Sequence, residues 1–196
     1  MKLHLGCGKR NLGKDWIHID LASYLHIDYN QSIIKLPQFK DNSVDEIYSS
    51  HALEYFDRQE AEICLKEWYR VLKQGGLLRL AVPDFEGIVK VYRKYKDLEH
   101  RGILGPLFGR MEGWFPVTMF NIGNYIYHKT VYDFKSLKKL LESVGFKGVK
   151  RYDVVQYFKS LPKGYDDQSF AFVPERDPEG ICVSLNIICK KEVKND

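Results

Sequence analysis

The chain has 196 residues, of which 44% are hydrophobic and 29% charged, and it carries a formal net charge of +4. That length suits one domain with one sizeable core, and the composition is that of an ordinary globular protein. No run approaches the ~18 apolar residues of a membrane span, no signal or transit sequence is visible at the start, and so mild a charge sets nucleic acid aside as a partner.

Residues 2–5 read as a short apolar strand running into the turn Gly6-Cys7-Gly8, and residues 16–20 as a second strand ending on Asp20. Glycines there let the backbone approach a ligand closely. An acid at the next strand end can accept from two ribose hydroxyls, which is how a Rossmann-like nucleoside site begins. Only residues 6–15 join the two strands, whereas a helical crossover needs about a dozen or more. A third strand is predicted over 24–28, again too soon after Asp20 for a helix, and it puts Asp28 at a strand end.

Pro37 and the polar run Asp41-Asn42-Ser43 lead into a fourth strand over 44–49, followed by Ser50 and His51. Asp57 with Glu60 has the form of a helix N-terminus. Ala61, Cys64, Leu65, Trp68 and Leu72 then repeat at helical spacing until Gly75-Gly76 ends the helix. A fifth strand over 77–82 stops at Pro83. Residues 84–97 read as a helix, and Lys90, Arg93, Lys94, Lys96 and Arg101 as a basic cluster that is either a solvated helix face or a site for an anionic substrate such as a phosphorylated sugar. From 98 to 130 the pattern breaks into five glycines, two prolines and many aromatics, among them Phe108, Trp114, Phe115, Phe120, Tyr125 and Tyr127. An irregular segment of that length is either a lid over a substrate or a loop packing its own aromatics on the sheet. Asp133 caps a further helix with Leu137, Leu140, Leu141 and Val144 on one face and Gly145 just past its end. Residues 149–155 and 181–189 read as two closing strands.

These elements predict one α/β domain over 1–196: a Rossmann-like, mostly parallel sheet with an antiparallel strand at its C-terminal end and early helices reduced or missing. One sheet face near the first three strands then lacks helical cover, at roughly 25 cal/mol for each Å² of apolar surface left wet. Cover is expected from residues 98–130, from residues 156–180, or from a partner subunit in a homodimer. The four cysteines, Cys7, Cys64, Cys182 and Cys189, form no C-x-x-C pair and have no His at zinc-ligand spacing, so they read as small buried residues of a reducing, cytoplasmic protein, with no metal site.

In order along the chain, residues 3–8, 13–20, 36–54, 66–76 and 82–85, then His128 and residues 140–146, resemble the class I S-adenosylmethionine-dependent methyltransferases, and a small bacterial group of them most of all. The resemblance spans roughly residues 2–150. It implies S-adenosyl-L-methionine as cofactor, with Gly6, Cys7 and Gly8 against its methionine and ribose parts and Asp20 on the ribose hydroxyls. It also implies Asp28, Tyr29 and Asn30 near the adenine, and Ser50 and His51 along the wall by the methyl group. The chain departs from the family at His4, where an acid is common, at Lys9-Arg10-Asn11, where a third glycine is common, and at Tyr55, where the smaller group often has His.

A methyl donor with a built-in leaving group asks mainly for alignment, and a hydroxyl acceptor adds the need for a base. His51 and His128 are the candidates, with Asp84 third, whereas His4, His18 and His26 alternate within strands and read as structural. No N-P-P-Y-like motif follows the fourth strand, which argues against exocyclic base nitrogens, and the aromatic segment suits a small molecule or saccharide methylated on oxygen. The alternative is a non-catalytic cofactor-binding or regulatory protein on the same fold. A nicotinamide dehydrogenase is disfavoured by the incomplete glycine fingerprint.

Overall fold

The computed structural model describes residues 1–109, 111–112, 125–159, 168–175 and 177–193. Strands β1 (Lys2–Leu5), β2 (Trp16–Asp20), β3 (Tyr29–Asn30), β4 (Val44–Ser50) and β5 (Leu72–Pro83) are parallel and lie in the order β3-β2-β1-β4-β5. Leu3 lies opposite Ile17 and Ile47, and Leu5 opposite Ile19 and Ser49, so one face of the sheet is a continuous apolar layer. The order reverses between β1 and β4. A crevice opens beyond the carboxyl ends at such a reversal, and ligands of open α/β sheets bind there.

The connections β1–β2 and β2–β3 carry no helix, as their lengths predict, and neither does the longer β3–β4 connection. The third strand is shorter and later than its sequence pattern suggests: it is Tyr29–Asn30, and Asp28 stands opposite His18, short of the carboxyl end. Helix α1 (Arg58–Val71) begins with the expected capping box, in which Asp57 accepts from the backbone N–H groups of Gln59 and Glu60 and the Glu60 carboxylate accepts from the Asp57 N–H. It packs Ala61, Cys64, Leu65 and Trp68 onto the apolar face at zero exposure. Its side chains also hold the helix-free β3–β4 connection. Trp68 Nε1 donates to the Ile33 carbonyl at 2.9 Å, and the Arg70 guanidinium reaches the Leu36 and Phe39 carbonyls, Asp41 and Glu67. The helix ends at Val71, ahead of the predicted glycine stop, because Leu72 already pairs with Val44. Gly75, at φ 72°, makes the turn that follows.

Beyond β5 come α2 (Phe85–Tyr95), α3 (Arg101–Phe108), the paired β6 (Met111–Glu112) and β7 (Tyr125–Ile126), and α4 (Phe134–Val144). β8 (Phe146–Arg151), α5 (Val154–Lys159), the hairpin of β9 (Phe172–Val173) with β10 (Ile181–Cys182), and β11 (Ser184–Lys191) complete the chain. β11 runs antiparallel between β5 and β8, giving a seven-stranded sheet in the order β3-β2-β1-β4-β5-β11-β8. The predicted closing strands are therefore shifted: 152–155 leaves the sheet for α5, and 181–182 belongs to the hairpin. Within the predicted 98–130 loop, residues 101–108 are helix α3, and Trp114, Phe115 and Phe120 lie outside the described residues.

The second face of the sheet is covered by the chain itself. Tyr48 of β4 meets the Tyr157 ring and donates to Ser169 Oγ at 3.2 Å, so the 156–180 segment supplies part of the expected cover. Over β1 and β2 runs a ladder of rings: His4 to His18 at 5.5 Å, His18 to His26 at 5.3 Å, and His26 stacked on Tyr24 at 6.0 Å. His18 Nε2 accepts the Leu12 N–H at 2.9 Å, and the His18 N–H donates to Asp28 at 2.7 Å. One histidine thus ties down both early connections where helices would otherwise lie. No helix of the described residues is long and apolar enough to cross a membrane.

Candidate active site

The crevice at the strand reversal is built from the glycine turn outward. Gly6 and Gly8 both have positive φ, +66° and +52°, which explains the residue type at each. Gly6 has a second reason: a Cβ there would lie 2.4 Å from the Ala52 Cβ, so the segment after β4 is pressed directly against the turn. Gly8 differs, because a Cβ there would meet only Arg10 Nη1 at 3.8 Å, and that side of the turn is open. The Gly8 N–H donates to Asp20 Oδ2 at 2.7 Å and the Ala22 N–H to Asp20 Oδ1 at 2.8 Å. The half-buried carboxylate at the end of β2 is therefore fixed by two backbone donors, with a lone pair on each oxygen left over. Burial first, then the Asp20 charge, pushes the Cys7 thiol up to about 12, so Cys7 is a packing group of the turn and no nucleophile.

Asp28, Tyr29 and Asn30 sit on the outer edge. The Asp28 carboxylate is half exposed and bonded to the His18 backbone, and it is Asn30 that lies beside Asp20. Asn30 Nδ2 latches the Leu21 and Ala22 carbonyls at 2.8 and 2.7 Å. The Tyr29 ring meets Phe39 edge-on at 5.8 Å.

At the end of β4, Ser49 and Ser50 are buried with no hydrogen-bond partner for either hydroxyl among the described residues. His51 follows at φ 52°, its N–H bonded to the Ala81 carbonyl. His51 Nε2 is 3.0 Å from Ser184 Oγ, at the start of β11, and its Nδ1 is 3.3 Å from Glu54 Oε1. The same oxygen is 3.6 Å from His128 Nε2. Glu54 has zero exposure, and neither of its oxygens is hydrogen-bonded within the described residues. The two histidines singled out from the sequence, 77 positions apart, thus converge on one buried carboxylate.

The sequence reading passed over Glu54 and Ser184. Glu54 falls in the family-like run 36–54, where its charge among Leu53 and Tyr55 was the available signal. Nothing local marks Ser184. Asp84, the third candidate base, is already engaged: it accepts from the Glu86 N–H at the start of α2 and from Arg151 Nη1 at 2.9 Å. His128 is held by Pro106, whose carbonyl is 2.9 Å from Nδ1, and by the Tyr55 ring at 4.7 Å. Gly109, at φ +46°, passes so close that a Cβ would be 1.9 Å from His128 Nε2. Burial lowers the His128 pKa, with the Glu54 charge opposing.

Residues 3–80 match the family model described as a methyltransferase domain. Among solved structures, the fold is shared with a SAM-dependent methyltransferase from Archaeoglobus fulgidus, at 17% identity and a TM-score of 0.56 over 97% of this chain and 85% of that one. It is shared with another from Methanosarcina mazei, at 19% identity and a TM-score of 0.53 over 98% and 92%. The chain thus has the fold of the S-adenosylmethionine-dependent methyltransferases, with a methyltransferase-domain match over its first strands. The 1,6-didemethyltoxoflavin-N1-methyltransferase of Burkholderia thailandensis, solved with 1,6-didemethyltoxoflavin and S-adenosylhomocysteine bound, has the same fold at 11% identity and a TM-score of 0.53 over 98% of this chain and 71% of that one. A search of curated proteins finds no match.

The residues present fit S-adenosylmethionine, the cofactor of the methyltransferases whose fold the chain shares. The open side of Gly8, the spare lone pairs of Asp20 and the orphaned Ser50 hydroxyl all lie at the carboxyl ends of the adjacent strands β1, β2 and β4. S-adenosylmethionine carries no phosphate, and the first turn here, having no helix behind it, offers none of the aligned amides that a phosphate needs.

Proposed function

We propose that the domain transfers a methyl group from S-adenosylmethionine to a hydroxyl oxygen of a small-molecule or saccharide acceptor. The observation that carries the oxygen assignment is the convergence of His51 and His128 on the buried Glu54, beside the turn that Gly6 forms against Ala52. A hydroxyl gives up a proton on methylation, and paired imidazoles on a carboxylate are suited to take one near neutral pH.

When bound, S-adenosylmethionine supplies an electrophilic methyl on a sulfonium that leaves without protonation. The chain's own residues do the rest. Asp20 takes the ribose hydroxyls on its spare lone pairs, while Gly6, Cys7 and Gly8 line the methionine and ribose side. Tyr29 and Asn30 border the adenine, and Asp28 braces that edge through the His18 backbone. Ser50 and His51 wall the methyl position, and orientation there supplies most of the rate.

Calorimetry with S-adenosylmethionine and S-adenosylhomocysteine tests the cofactor roles. Binding is expected for the wild type and a loss of affinity of about tenfold or more for Asp20→Ala, the cost of a hydrogen bond to a charged group. Equal affinity in the two proteins would overturn the assignment of Asp20. An acceptor screen with radiolabelled methyl donor, on small-molecule, saccharide and RNA fractions, tests the rest. Label fixed to nitrogen or to RNA would refute the oxygen reading, and cofactor binding with no transfer to any fraction would favour a regulatory role.

A further inference from the structure

Ser184, His51, Glu54 and His128 lie in sequence at the carboxyl ends of the strands: the first contact is a hydrogen bond of 3.0 Å, and the other two, at 3.3 and 3.6 Å, are close approaches that are not hydrogen bonds at rest. The far end is fixed by chemistry. The Pro106 carbonyl can only accept, so the His128 nitrogen facing it, Nδ1, carries a proton. A neutral His128 therefore turns a lone pair from Nε2 toward Glu54 Oε1. At the near end, His51 meets the carboxylate with Nδ1, which favours the tautomer protonated there and leaves Nε2 to accept from the Ser184 hydroxyl.

In this arrangement the Glu54 oxygen faces one N–H and one lone pair. A single added proton, placed between Glu54 and His128, turns the second contact from repulsive to attractive and draws the two atoms from 3.6 Å into hydrogen-bond range. We propose that these four residues are a proton wire, with Ser184 as its entry, Glu54 as the positioning residue that orders both imidazoles, and the Glu54–His128 contact as the place where the acceptor's proton is held. The proposal rests on the methyl-transfer reading for the origin of that proton.

Each C–O bond formed, with the C–S electron pair staying on sulfur, releases one proton from the acceptor hydroxyl. Ser184 Oγ takes it and passes its own to His51 Nε2. His51 gives its Nδ1 proton to Glu54 Oε1, which shares it with His128 Nε2. Protons and charge balance at each hand-over.

The surroundings suit storage. Among the described residues, the two imidazoles are the only basic groups within salt-bridge distance of Glu54. From the turn that holds Glu54, Tyr55 faces His128; burial and the Glu54 charge raise its phenol, which stays protonated and donates to the Gly109 carbonyl at 2.9 Å. From α3, Pro106 and Gly109 present backbone only. Lys129, next in the chain, directs its Nζ to Glu60 instead. Desolvation keeps His128 neutral at rest, so the wire begins with room for a proton.

The test uses full-length, ¹⁵N-labelled protein without ligands, reading the imidazole nitrogens by long-range ¹H–¹⁵N correlation across a pH series, with His51→Gln and His128→Gln for assignment. At about pH 8 both histidines are expected to carry their proton on Nδ1. In Glu54→Gln the carboxamide fills the same space and cannot hold the proton, and the His128 midpoint is expected to fall by about one unit, the effect of losing a neighbouring opposite charge. Ser184→Ala is expected to leave the His128 midpoint unchanged and to lower the Nδ1–H population of His51. A wild-type His51 protonated on Nε2, or a His128 midpoint unmoved in Glu54→Gln, overturns the wire. If Glu54→Gln does not fold, Ser184→Ala decides alone: a His51 tautomer it leaves unchanged refutes the proposal. With an acceptor in hand, Glu54→Gln should lower kcat about a hundredfold at constant KM and flatten the acid limb of the pH profile, which loss of packing alone would not do. A failure of S-adenosylmethionine to bind leaves the nitrogen signals intact, so the two readings fail separately.

Discussion

The contact between Gly6 and Ala52 permits a prediction in which two physical effects can be measured apart. Gly6→Ala places a Cβ 2.4 Å from the Ala52 Cβ, at a backbone φ of +66°. The left-handed conformation costs an L-residue about 1–2 kcal/mol, and forcing a methyl into an occupied site costs about 1–3 kcal/mol more. A total loss of about 2–5 kcal/mol is a large share of a domain's stability, and urea unfolding monitored by circular dichroism will resolve it. Ala52→Gly removes the atom that clashes, at about 0.5–1 kcal/mol of its own. The double variant Gly6→Ala/Ala52→Gly should therefore recover the steric part and keep the conformational part, with a coupling of about 1–3 kcal/mol in the cycle. Additive single effects would refute the close approach of the His51 segment to the glycine turn, and with it the geometry on which the proposed function rests.

Gly109→Ala should displace His128, since the new Cβ would lie 1.9 Å from its Nε2; the expected readout is loss of the Tyr55–His128 ring-current shift and of methyl transfer, with cofactor affinity retained. His4 and His18 are held below the ordinary histidine pKa, mainly by burial and then by their imidazole neighbours. The unfolded chain therefore binds more protons than the folded one below about pH 6.5. Stability should be complete above that pH and fall as the pH drops toward the folded-state values; His4→Phe should flatten the dependence, and urea midpoints between about pH 4.5 and 7.5 that do not change would contradict the buried ring ladder. All four thiols are raised by burial, Cys7 and Cys189 to about 12. Iodoacetamide at about pH 8 should leave the native protein unmodified and alkylate it fully in urea, as read by intact mass; native labelling of Cys7 would show that the turn opens. Trp68→Ala removes the largest fully buried side chain together with its bond to Ile33, and should cost about 3–5 kcal/mol.

The sequence made some of this legible for plain physical reasons. The turn at Gly6–Gly8 and the carboxylate of Asp20 are local, and the brevity of 6–15 excluded a helix by counting alone. The capping box of α1 and the Asp133 cap of α4 were legible because cap and first turn adjoin in the chain. Asp28 misled because 24–28 alternates like a strand, yet the pairing that decides the matter is with His18 and lies outside that window. Helix α1 stops short of its glycines because β4 captures Leu72, a tertiary event that periodicity does not register. Glu54 and Ser184 escaped notice for the same reason. A buried carboxylate has meaning only through its neighbours, and these come from a strand end, a distant loop and the last strand of the sheet.

The edge strand β3 has two paired residues, and the stretches on either side of it carry no helix. In amide exchange it should be the first part of the sheet to open, since so few hydrogen bonds and buried contacts hold it. In the function proposed above, Asp20 on the neighbouring strand takes the ribose of the cofactor, and a ligand bound there would shift this local opening equilibrium toward the closed form by mass action. Affinity for the cofactor then includes the work of ordering this margin. Variants that rigidify 21–31 without touching the ligand should bind it more tightly, and the slowest-exchanging amides of the liganded protein should extend one strand further out than those of the free one.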